Sequence, residues 1–561
     1  MPLLKKAIIV IIFVSCFISQ QSFAGKNKAA IASAHPLATY AGFEVLQQGG
    51  NAFDAAVAVS AALAVVEPAG SGLGGGGFWL LHRASDGFET MIDGREKAPL
   101  AAGKDMFLNA QGAVDKQLSK DSALSAGIPG LPAALVHLST KYGKLPLAQV
   151  LQPAIRYAQQ GFLIRERHRK LLRFRLSVLQ KNQEAAGIFL SDNRIPEAKS
   201  LLKQLDLAKT LKQLAKHGRS GFYEGEVASK LIIAVQNAGG IWTAEDLKQY
   251  QIVEREPVRG EYKGIKITSA ALPSSGGIVL IEALNILSAY PLEQLDGITR
   301  KHLISEAMRR AYHDRALYLG DSDFVDVPIK RLLDKNYAAG LRSNIRLDKA
   351  TPSQSLSGNV IQKKGGSDTT HFSIIDKQGN KVAATLSVNF PFGSGFVAKG
   401  TGVLLNDEMD DFVSKAGVKN GYGLVGGRAN QIESGKRMLS SMTPTFIEDD
   451  NRVAVLGTPG GSRIISMVLL AVLDFAKGRG PESWVWQPRF HHQFIPDLIQ
   501  YEKGGLTNDE ISGLAKLGHQ LKEVGYRYGN MQGVQFNKKT RQLTAEADPR
   551  GEGFALVKGT D

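Results

Sequence analysis

The spacing of hydrophobic residues predicts helices over much of the first 345 positions. Apolar residues recur every three to four positions over 35–46 and 54–66, which is the period of one helix face. An asparagine at position 51, just after two glycines, is typical of the N-cap of the second helix. The region 129–345 also has a mostly helical pattern, with a strand-like segment over 264–271.

The pattern changes near residue 369. Residues 348–368 are polar and lack periodicity, which is typical of a surface loop. From Thr370 onward the residues alternate with a period of two, and a turn-forming segment over 376–380 leads into a second such run over 381–389. This pattern predicts a β-hairpin.

The expected register of the hairpin brings polar side chains close to Thr369. If the turn is centred near Gln378-Gly379, paired positions sum to about 757. Thr369 then lies opposite residue 388, with Ser387 and Asn389 on either side. Such a threonine indicates an N-terminal nucleophile, in which a cut before the threonine frees an α-amine that serves as the base for its own hydroxyl. An ordinary strand start explains the same pattern.

Composition limits the class of protein. The 561 residues are 43% hydrophobic and 22% charged, which is typical of a globular chain of one long or two shorter domains. The only cysteine excludes an internal disulfide and a cysteine-rich metal site. The net charge of +15 is scattered without a run of five or six like charges, so we expect a solvated surface and no nucleic-acid partner.

Residues 1–24 are predicted to be a cleavable signal peptide. Two lysines precede an apolar run over 7–18, and small residues at Ser22 and Ala24 suit a signal peptidase. The apolar run is about 12 residues long, whereas a membrane anchor needs roughly 20. We therefore expect export to the periplasm, with secretion as an alternative, and no membrane attachment after cleavage.

Several common motifs are absent from the sequence or occur in the wrong context. The G-x-G-x-x-G match at 72–77 follows a helix and leads into a strand, the reverse of a dinucleotide site, and favours close backbone packing. Neither a P-loop nor a G-x-S-x-G elbow is present. The adjacent pairs His491-His492 and His313-Asp314 lack metal-ligand spacing and are interpreted as packing or surface residues. For His371, both a structural role and an influence on Thr369 stay open.

Three later segments carry residues suited to chemistry. Residues 406–411 group acidic side chains that suit a substrate ammonium, and 437–444 contain paired hydroxyls. The glycine-rich segment 457–463 offers backbone N–H groups for a developing oxyanion. Each segment alone also fits an ordinary turn, strand end or loop.

Taken together and in this order, nine segments resemble the γ-glutamyltransferase family over essentially the whole mature chain. They are GGNAFDAAVA (49–58), LGGGGF (73–78), DGREKAP (93–99), PSSGG (273–277), TTHFSIID (369–376), NDEMDDF (406–412), YGLVGG (422–427), RMLSSMTPT (437–445) and GTPGGSR (457–463). The resemblance implies an α+β fold of the N-terminal-nucleophile hydrolase type, a four-layer αββα sandwich. It also implies self-cleavage between Asp368 and Thr369 into a large subunit (25–368) and a small subunit (369–561) that form a heterodimer.

The resemblance further implies a role for each matching residue, without a cofactor or a metal. Thr369 is the nucleophile and base, Ser387 its hydroxyl partner where many bacterial members have threonine, and Gly460 and Gly461 form the oxyanion hole. The expected substrate ligands are Arg95, Ser440 and Ser441 for the α-carboxylate, Asn389, Glu408 and Asp411 for the α-ammonium, and Tyr422 on a lid over 414–430.

The implied activity is cleavage of the γ-glutamyl bond of glutathione and related amides. The glutamyl group passes through an ester on Thr369 to water, or to an amino acid or dipeptide acceptor. Two alternatives stay open: a cephalosporin or glutaryl acylase of the same superfamily, and a non-catalytic basic protein that binds envelope polymers. Such an acylase would not need Glu408 and Asp411, because its acyl group has no α-ammonium for them to bind.

Overall fold

The computed structural model describes residues 28–356, 369–414, 424 and 426–560. The predicted signal peptide, Asp368 and Tyr422 lie outside the described residues. Within the described part no helix is long and apolar enough to cross a membrane.

The described residues form nineteen α-helices and twenty strands. The helices are α1 (Pro36–Gln47), α2 (Ala52–Val66), α3 (Lys116–Lys120), α4 (Leu131–Lys141), α5 (Leu147–Val150), α6 (Gln152–Gln160), α7 (Glu166–Leu179), α8 (Gln183–Phe189), α9 (Leu205–His217), α10 (Ser220–Tyr223), α11 (Gly225–Asn237), α12 (Ala244–Gln249), α13 (Gly276–Leu287), α14 (Gly297–Tyr318), α15 (Ile329–Leu332), α16 (Lys335–Arg342), α17 (Ile464–Ala476), α18 (Pro481–Trp486) and α19 (Asn508–Lys516). The strands are β1 (Lys28–Ser33), β2 (Gly76–Arg83), β3 (Phe88–Gly94), β4 (Phe162–Leu163), β5 (Leu201–Leu202), β6 (Val253–Arg255), β7 (Val258–Tyr262), β8 (Ile265–Ser269), β9 (Thr370–Ile375), β10 (Lys381–Ser387), β11 (Val397–Ala398), β12 (Val403–Leu404), β13 (Thr445–Glu448), β14 (Arg452–Gly457), β15 (Phe490–His491), β16 (Ile499–Tyr501), β17 (Leu521–Glu523), β18 (Gln532–Asn537), β19 (Leu543–Ala547) and β20 (Phe554–Gly559).

Two large sheets stack face to face between helical layers. The first has strand order β20-β1-β9-β10-β2-β3-β6 and the second β19-β18-β14-β13-β8-β7. β9 and β10 of the first sheet pack on β14 of the second. Helices α1, α2 and α4 cover the first sheet, and α13 and α17 cover the second, with α14 packed on α13. This arrangement is the predicted αββα sandwich.

Apolar burial explains the layers. One hydrophobic cluster joins α1 and α2 to the outer face of the first sheet, and a second fills the space between the sheets and beneath α13, α14 and α17. Every residue of α2 is buried, which matches its near-continuous apolar sequence. Asn51 caps α2 as predicted: its side chain accepts from the backbone N–H groups of Phe53 and Asp54.

The glycine-rich segment over 72–77 packs closely against neighbouring backbone, as its sequence context predicts. A Cβ atom at Gly74 would lie 2.1 Å from the carbonyl oxygen of Leu404, and one at Gly75 would lie 2.2 Å from that of Ser387. Only glycine permits these approaches, since real Cβ atoms do not come so close to other atoms. The segment therefore packs directly against the last residues of β10 and β12.

Candidate active site

One pocket collects residues that follow or end strands of both sheets. Arg95 follows β3, Ser387 ends β10, and Gly461 lies between β14 and α17. The pocket is narrow, with a volume of about 20 Å³, room for roughly one water molecule. Its lining comprises Arg95, Arg315, Thr369, Ser387, Asn389, Glu408, Asp411, Leu424, Ser440, Ser441, Met442, Gly461, Ser462 and Ile464.

Thr369 enters the pocket at the start of the hairpin. It immediately precedes β9 and is 3% exposed. The ladder pairs Thr370 with Leu386, so the next position places Ser387 opposite Thr369. The register differs by one residue from the prediction, because the turn is centred on Gln378 rather than between residues 378 and 379.

Ser387 and Asn389 are fixed by backbone contacts. The Asn389 backbone N–H donates to Ser387 Oγ at 2.8 Å, and Asn389 Nδ2 donates to the carbonyl oxygen of Asp407 at 2.9 Å. Asn389 has a φ of 74°, a left-handed conformation that asparagine tolerates better than most residues. The Ser387 side chain also acts on the carboxyl of Glu408 and lowers its pKa, which couples the end of β10 to the acidic cluster.

Arg95 lies between two carboxylates. Its Nη1 and Nη2 donate to Glu408 Oε2 and Asp411 Oδ2, each at 2.6 Å, and its Nε donates to the carbonyl oxygen of Met438 at 3.2 Å. Glu408 and Asp411 stand on a short 3-10 turn, which directs both side chains toward the same guanidinium. The result is a buried ion-pair cluster on one wall of the pocket.

Burial controls the charge of this cluster. It raises the pKa of Glu408 to about 7, although Arg95 acts in the opposite direction. It also raises the pKa of Asp411, again against the effect of Arg95. The neighbouring Glu96 is fully buried, and burial together with Glu408 raises its pKa well above the usual range. Burial therefore favours the neutral form of the Glu96 carboxyl.

Ser440 and Ser441 also line the pocket, just before β13. The Ser440 Oγ accepts from the backbone N–H of Met442 at 3.1 Å. Ser275 binds the Ser440 carbonyl oxygen through both its backbone N–H, at 2.9 Å, and its Oγ, at 2.7 Å. The Ser441 Oγ accepts from Arg315 Nη2 at 3.2 Å. The serine pair is thus held in place from the start of α13 and from α14.

The loop between β14 and α17 has the backbone conformation that glycine favours. Gly460 has a φ of 148° and Gly461 a φ of 55°. A Cβ atom at Gly460 would lie 2.6 Å from Cε of Met467. Gly461 lines the pocket beside the first residues of α17, where the helix dipole favours negative charge.

His371 lies beneath this loop rather than in the pocket lining. Its Nδ1 is 2.8 Å from Thr385 Oγ1 and its Nε2 is 3.2 Å from Ser373 Oγ. Burial lowers the pKa of His371 to about 3, so the imidazole is neutral. A Cβ atom at Gly457 would lie 2.3 Å from the ring. These contacts favour a structural role.

Among the described residues, one group of three has atoms close enough to share a metal ion: His302, Glu306 and His519. Hydrogen bonds already engage these side chains: His302 Nδ1 lies 2.8 Å from His519 Nε2, and Glu306 accepts from Arg309 and Arg310. Two guanidinium groups on the carboxylate disfavour a cation. The pair His491-His492 is buried, with His491 Nδ1 2.6 Å from Ser466 Oγ.

The structure brings nine of the predicted site residues into the pocket lining, and Gly460 adjoins it. The nine are Arg95, Thr369, Ser387, Asn389, Glu408, Asp411, Ser440, Ser441 and Gly461. Five further lining residues were not predicted from the sequence: Arg315, Leu424, Met442, Ser462 and Ile464. A hint of Arg315 is present in the sequence of α14. Charged residues occur on every face of this helix, so some of them must be buried when it packs.

Comparisons with known proteins agree with this geometry. The family model described as gamma-glutamyltranspeptidase matches residues 38–557. A glutathione hydrolase proenzyme of Pseudomonas sp. (strain A14) is 44% identical over 508 residues, which cover 90% of this chain and 88% of the relative.

Two solved structures extend the comparison. The cephalosporin acylase from Bacillus halodurans has a TM-score of 0.82 at 26% identity, covering 94% of this chain and 96% of its own. The Helicobacter pylori gamma-glutamyltranspeptidase is 43% identical with a TM-score of 0.56, covering 57% of this chain and 92% of its own. The match over nearly the whole chain and the identity to curated relatives lead to one conclusion. The chain belongs to the γ-glutamyltranspeptidase family.

Proposed function

We propose that this protein is a γ-glutamyltransferase that cleaves the γ-glutamyl bond of glutathione and related amides. The observation that carries the proposal is the shared pocket, in which the Thr369 side of the hairpin faces a buried set of two guanidinium groups and two carboxylates. A glutamyl group ends in an α-ammonium and an α-carboxylate. Such a set of charges complements both ends of that zwitterion.

The substrate contacts follow from the walls of the pocket. Glu408, Asp411 and the side-chain oxygen of Asn389 bind the α-ammonium. Arg95, with the hydroxyls of Ser440 and Ser441, binds the α-carboxylate, since a guanidinium and two hydroxyls supply several hydrogen-bond donors. Tyr422 on the lid segment covers the bound glutamyl group.

The reaction begins with a cut between Asp368 and Thr369, which frees the α-amine of Thr369. This amine, with an ordinary pKa of about 7.7–8, takes the proton of the Thr369 hydroxyl as Oγ attacks the γ-carbonyl carbon. The Gly460 and Gly461 N–H groups stabilise the oxyanion, and Ser387 orients the nucleophile. The amine of cysteinylglycine leaves with the proton, and a γ-glutamyl ester remains on Thr369.

A second nucleophile completes the reaction. Water attacks the ester and releases glutamate, or the amine of an amino acid or dipeptide attacks it and releases a new γ-glutamyl amide. The Thr369 α-amine accepts the proton of the incoming nucleophile and returns one to Oγ. Neither step calls for a cofactor or a metal in this proposal.

Processing and location are part of the proposal. Residues 1–24 direct export to the periplasm and are removed. Self-cleavage then yields a large subunit over 25–368 and a small subunit over 369–561. The relative from Pseudomonas bears the name proenzyme, which supports such processing.

The acylase function is the second candidate, because the Bacillus halodurans cephalosporin acylase shares the fold over 94% of this chain. An acylase for glutaryl groups needs no ligands for an α-ammonium. Glu408 and Asp411 lie 2.6 Å from Arg95 in the pocket, and this arrangement favours the zwitterionic glutamyl group. Comparing γ-glutamyl-p-nitroanilide with glutaryl-p-nitroanilide as substrates separates the two functions.

Thr369→Ala tests the proposal. Without the hydroxyl, neither the cut nor the ester can form, so we expect an uncut chain on a denaturing gel and a loss of activity on γ-glutamyl-p-nitroanilide by a factor on the order of 10³ or more. Thr369→Ser keeps a hydroxyl and serves as the control that is still cut and active. If mass spectrometry finds the wild-type chain intact at Asp368–Thr369, the proposal fails and a binding protein is favoured.

A further inference from the structure

Arg315 is a second guanidinium in the pocket. It stands in the last turn of α14 and is 5% exposed. Its Nε donates to Ser275 Oγ at 2.9 Å and its Nη2 donates to Ser441 Oγ at 3.2 Å. Both acceptors are neutral hydroxyls.

Arg315 differs from the other buried arginines. Seven arginines are buried in the part of the chain that the structure describes, and six of them have a carboxylate within 4.0 Å: Arg95, Arg175, Arg309, Arg310, Arg437 and Arg489. No described carboxylate lies within that distance of Arg315. Burial lowers its pKa to about 10, so the group is still charged at neutral pH.

A buried charge with no carboxylate in direct contact is costly, so its presence in a pocket indicates an anion supplied by the ligand. Arg95 differs in that both of its Nη atoms already donate to carboxylates, Glu408 and Asp411, so it reaches a ligand carboxylate only by sharing these donors. Both carboxylates of the pocket, Glu408 and Asp411, pair with Arg95, so Arg315 is the guanidinium that lacks a carboxylate within 4.0 Å. The carboxylate of a bound zwitterion would supply that missing partner.

The contacts of Arg315 also orient the two serines of the pocket lining, Ser440 and Ser441. Because Ser441 Oγ accepts a hydrogen bond from Arg315, its own proton is available to donate to a ligand. Ser275 Oγ accepts from Arg315 and donates to the Ser440 carbonyl oxygen at 2.7 Å. Arg315 thereby links the positions of both serines.

We propose that Arg315 is a specificity-determining residue that binds the α-carboxylate of the glutamyl group together with Arg95 and directs the Ser441 hydroxyl toward it. This inference rests on the proposed γ-glutamyltransferase function. According to this inference, Arg315 distinguishes acyl groups that have the α-carboxylate from those that lack it. The residue lies on α14, outside the motifs that surround the nucleophile.

The test uses three p-nitroanilides on the purified, processed protein. The γ-glutamyl compound has both charges, the glutaryl compound lacks the ammonium, and the 4-aminobutanoyl compound lacks the carboxylate. For Arg315→Gln we expect kcat/KM to fall about 10- to 100-fold on the first two, mainly through KM, and to change less than about 2-fold on the third. Arg315→Lys keeps the charge and should recover part of the loss.

Arg310→Gln is the matched control, because Arg310 is buried on the same helix but pairs with Glu306 away from the pocket. Its effect should be equal on all three substrates. An equal loss on all three for Arg315→Gln, or no loss, overturns the proposal. If Arg315→Gln is not processed, the same three substrates are compared between Arg315→Lys and wild type. A loss confined to the two substrates with a carboxylate then supports the proposal, and an equal loss on all three overturns it. A processed wild-type protein inactive on the γ-glutamyl compound refutes the proposed function instead.

Discussion

Glu408 illustrates how burial shapes the chemistry of a single residue. In water its carboxyl would be fully ionised at neutral pH, but burial raises its pKa to about 7 despite the ion pair with Arg95. Asp411 and Glu96, the other carboxyls beside Arg95, have raised pKa values for the same reason. We therefore expect Glu408 to hold a proton for part of the time in the empty site and to release it when a cation binds beside it.

This behaviour predicts a pH dependence of substrate selection. An ammonium binds only the ionised form of Glu408, so selectivity for γ-glutamyl over glutaryl substrate should rise with pH up to about 7 and then level off. The ratio of the two kcat/KM values between pH 5.5 and 8 measures it, because the effect of the Thr369 amine cancels. In Glu408→Gln the ratio should be flat. A ratio that also rises in the variant would assign the titration to another group.

At the scale of elements, the N-cap of α2 both begins the helix and binds a distant part of the chain. Asn51 and Asp54 form a reciprocal capping box, and Asn51 Nδ2 donates to the carbonyl oxygen of Tyr142 at 2.8 Å. Asp54 also accepts from the backbone N–H of Lys144 at 2.9 Å. The helix start is thus joined to the end of α4, on the outer layer of the sandwich.

Asn51→Ala removes the cap and leaves buried backbone groups without partners. We expect a loss of about 1–2 kcal/mol and a decrease in Tm of about 1–2 °C for a chain of this size. Asn51→Asp keeps the acceptor for the N–H groups but not the donor to Tyr142, so it should lose less. Differential scanning calorimetry of both variants measures the effect. Equal Tm values for wild type and Asn51→Ala would show that the cap contributes nothing.

At the scale of the whole molecule, the two proposed subunits are interleaved within each sheet. In the first sheet β1 lies between β20 and β9, so a strand from before residue 369 is paired on both sides with strands from after it. In the second sheet β8 pairs with β13 across the same division. Separation would break both sheets and expose the core between them.

We therefore expect the cut protein to behave as one body. Size-exclusion chromatography without denaturant should give one species containing both fragments, and a denaturing gel should resolve two. The small fragment expressed alone should be insoluble or unfolded, because β9 and β10 would lack β1 and β2. Release of a folded fragment under native conditions would contradict this interleaving.

Local patterns determined the elements of this protein. The periods of apolar residues, the Asn51 cap and the turn before β10 all depend on neighbours in sequence, so they could be inferred without a structure. The register error of one residue arose from the turn, in which the Asp376 N–H bonds to the Asn380 carbonyl oxygen and so centres the turn on Gln378. The site residues came from ordered motifs, and their placement in one pocket did not follow from spacing.

Only the tertiary structure decided how the charges are partnered. Arg95 and Glu408 are 313 positions apart, and nothing in either segment specifies that the ion pair between them is buried. Burial depends on layers from distant parts of the chain, and it sets the pKa of Glu408 near 7. The same layers bring Arg315 to Ser441 without a carboxylate. The sequence by itself determined the residue types and elements, whereas desolvation, a property of the folded whole, determined their charges.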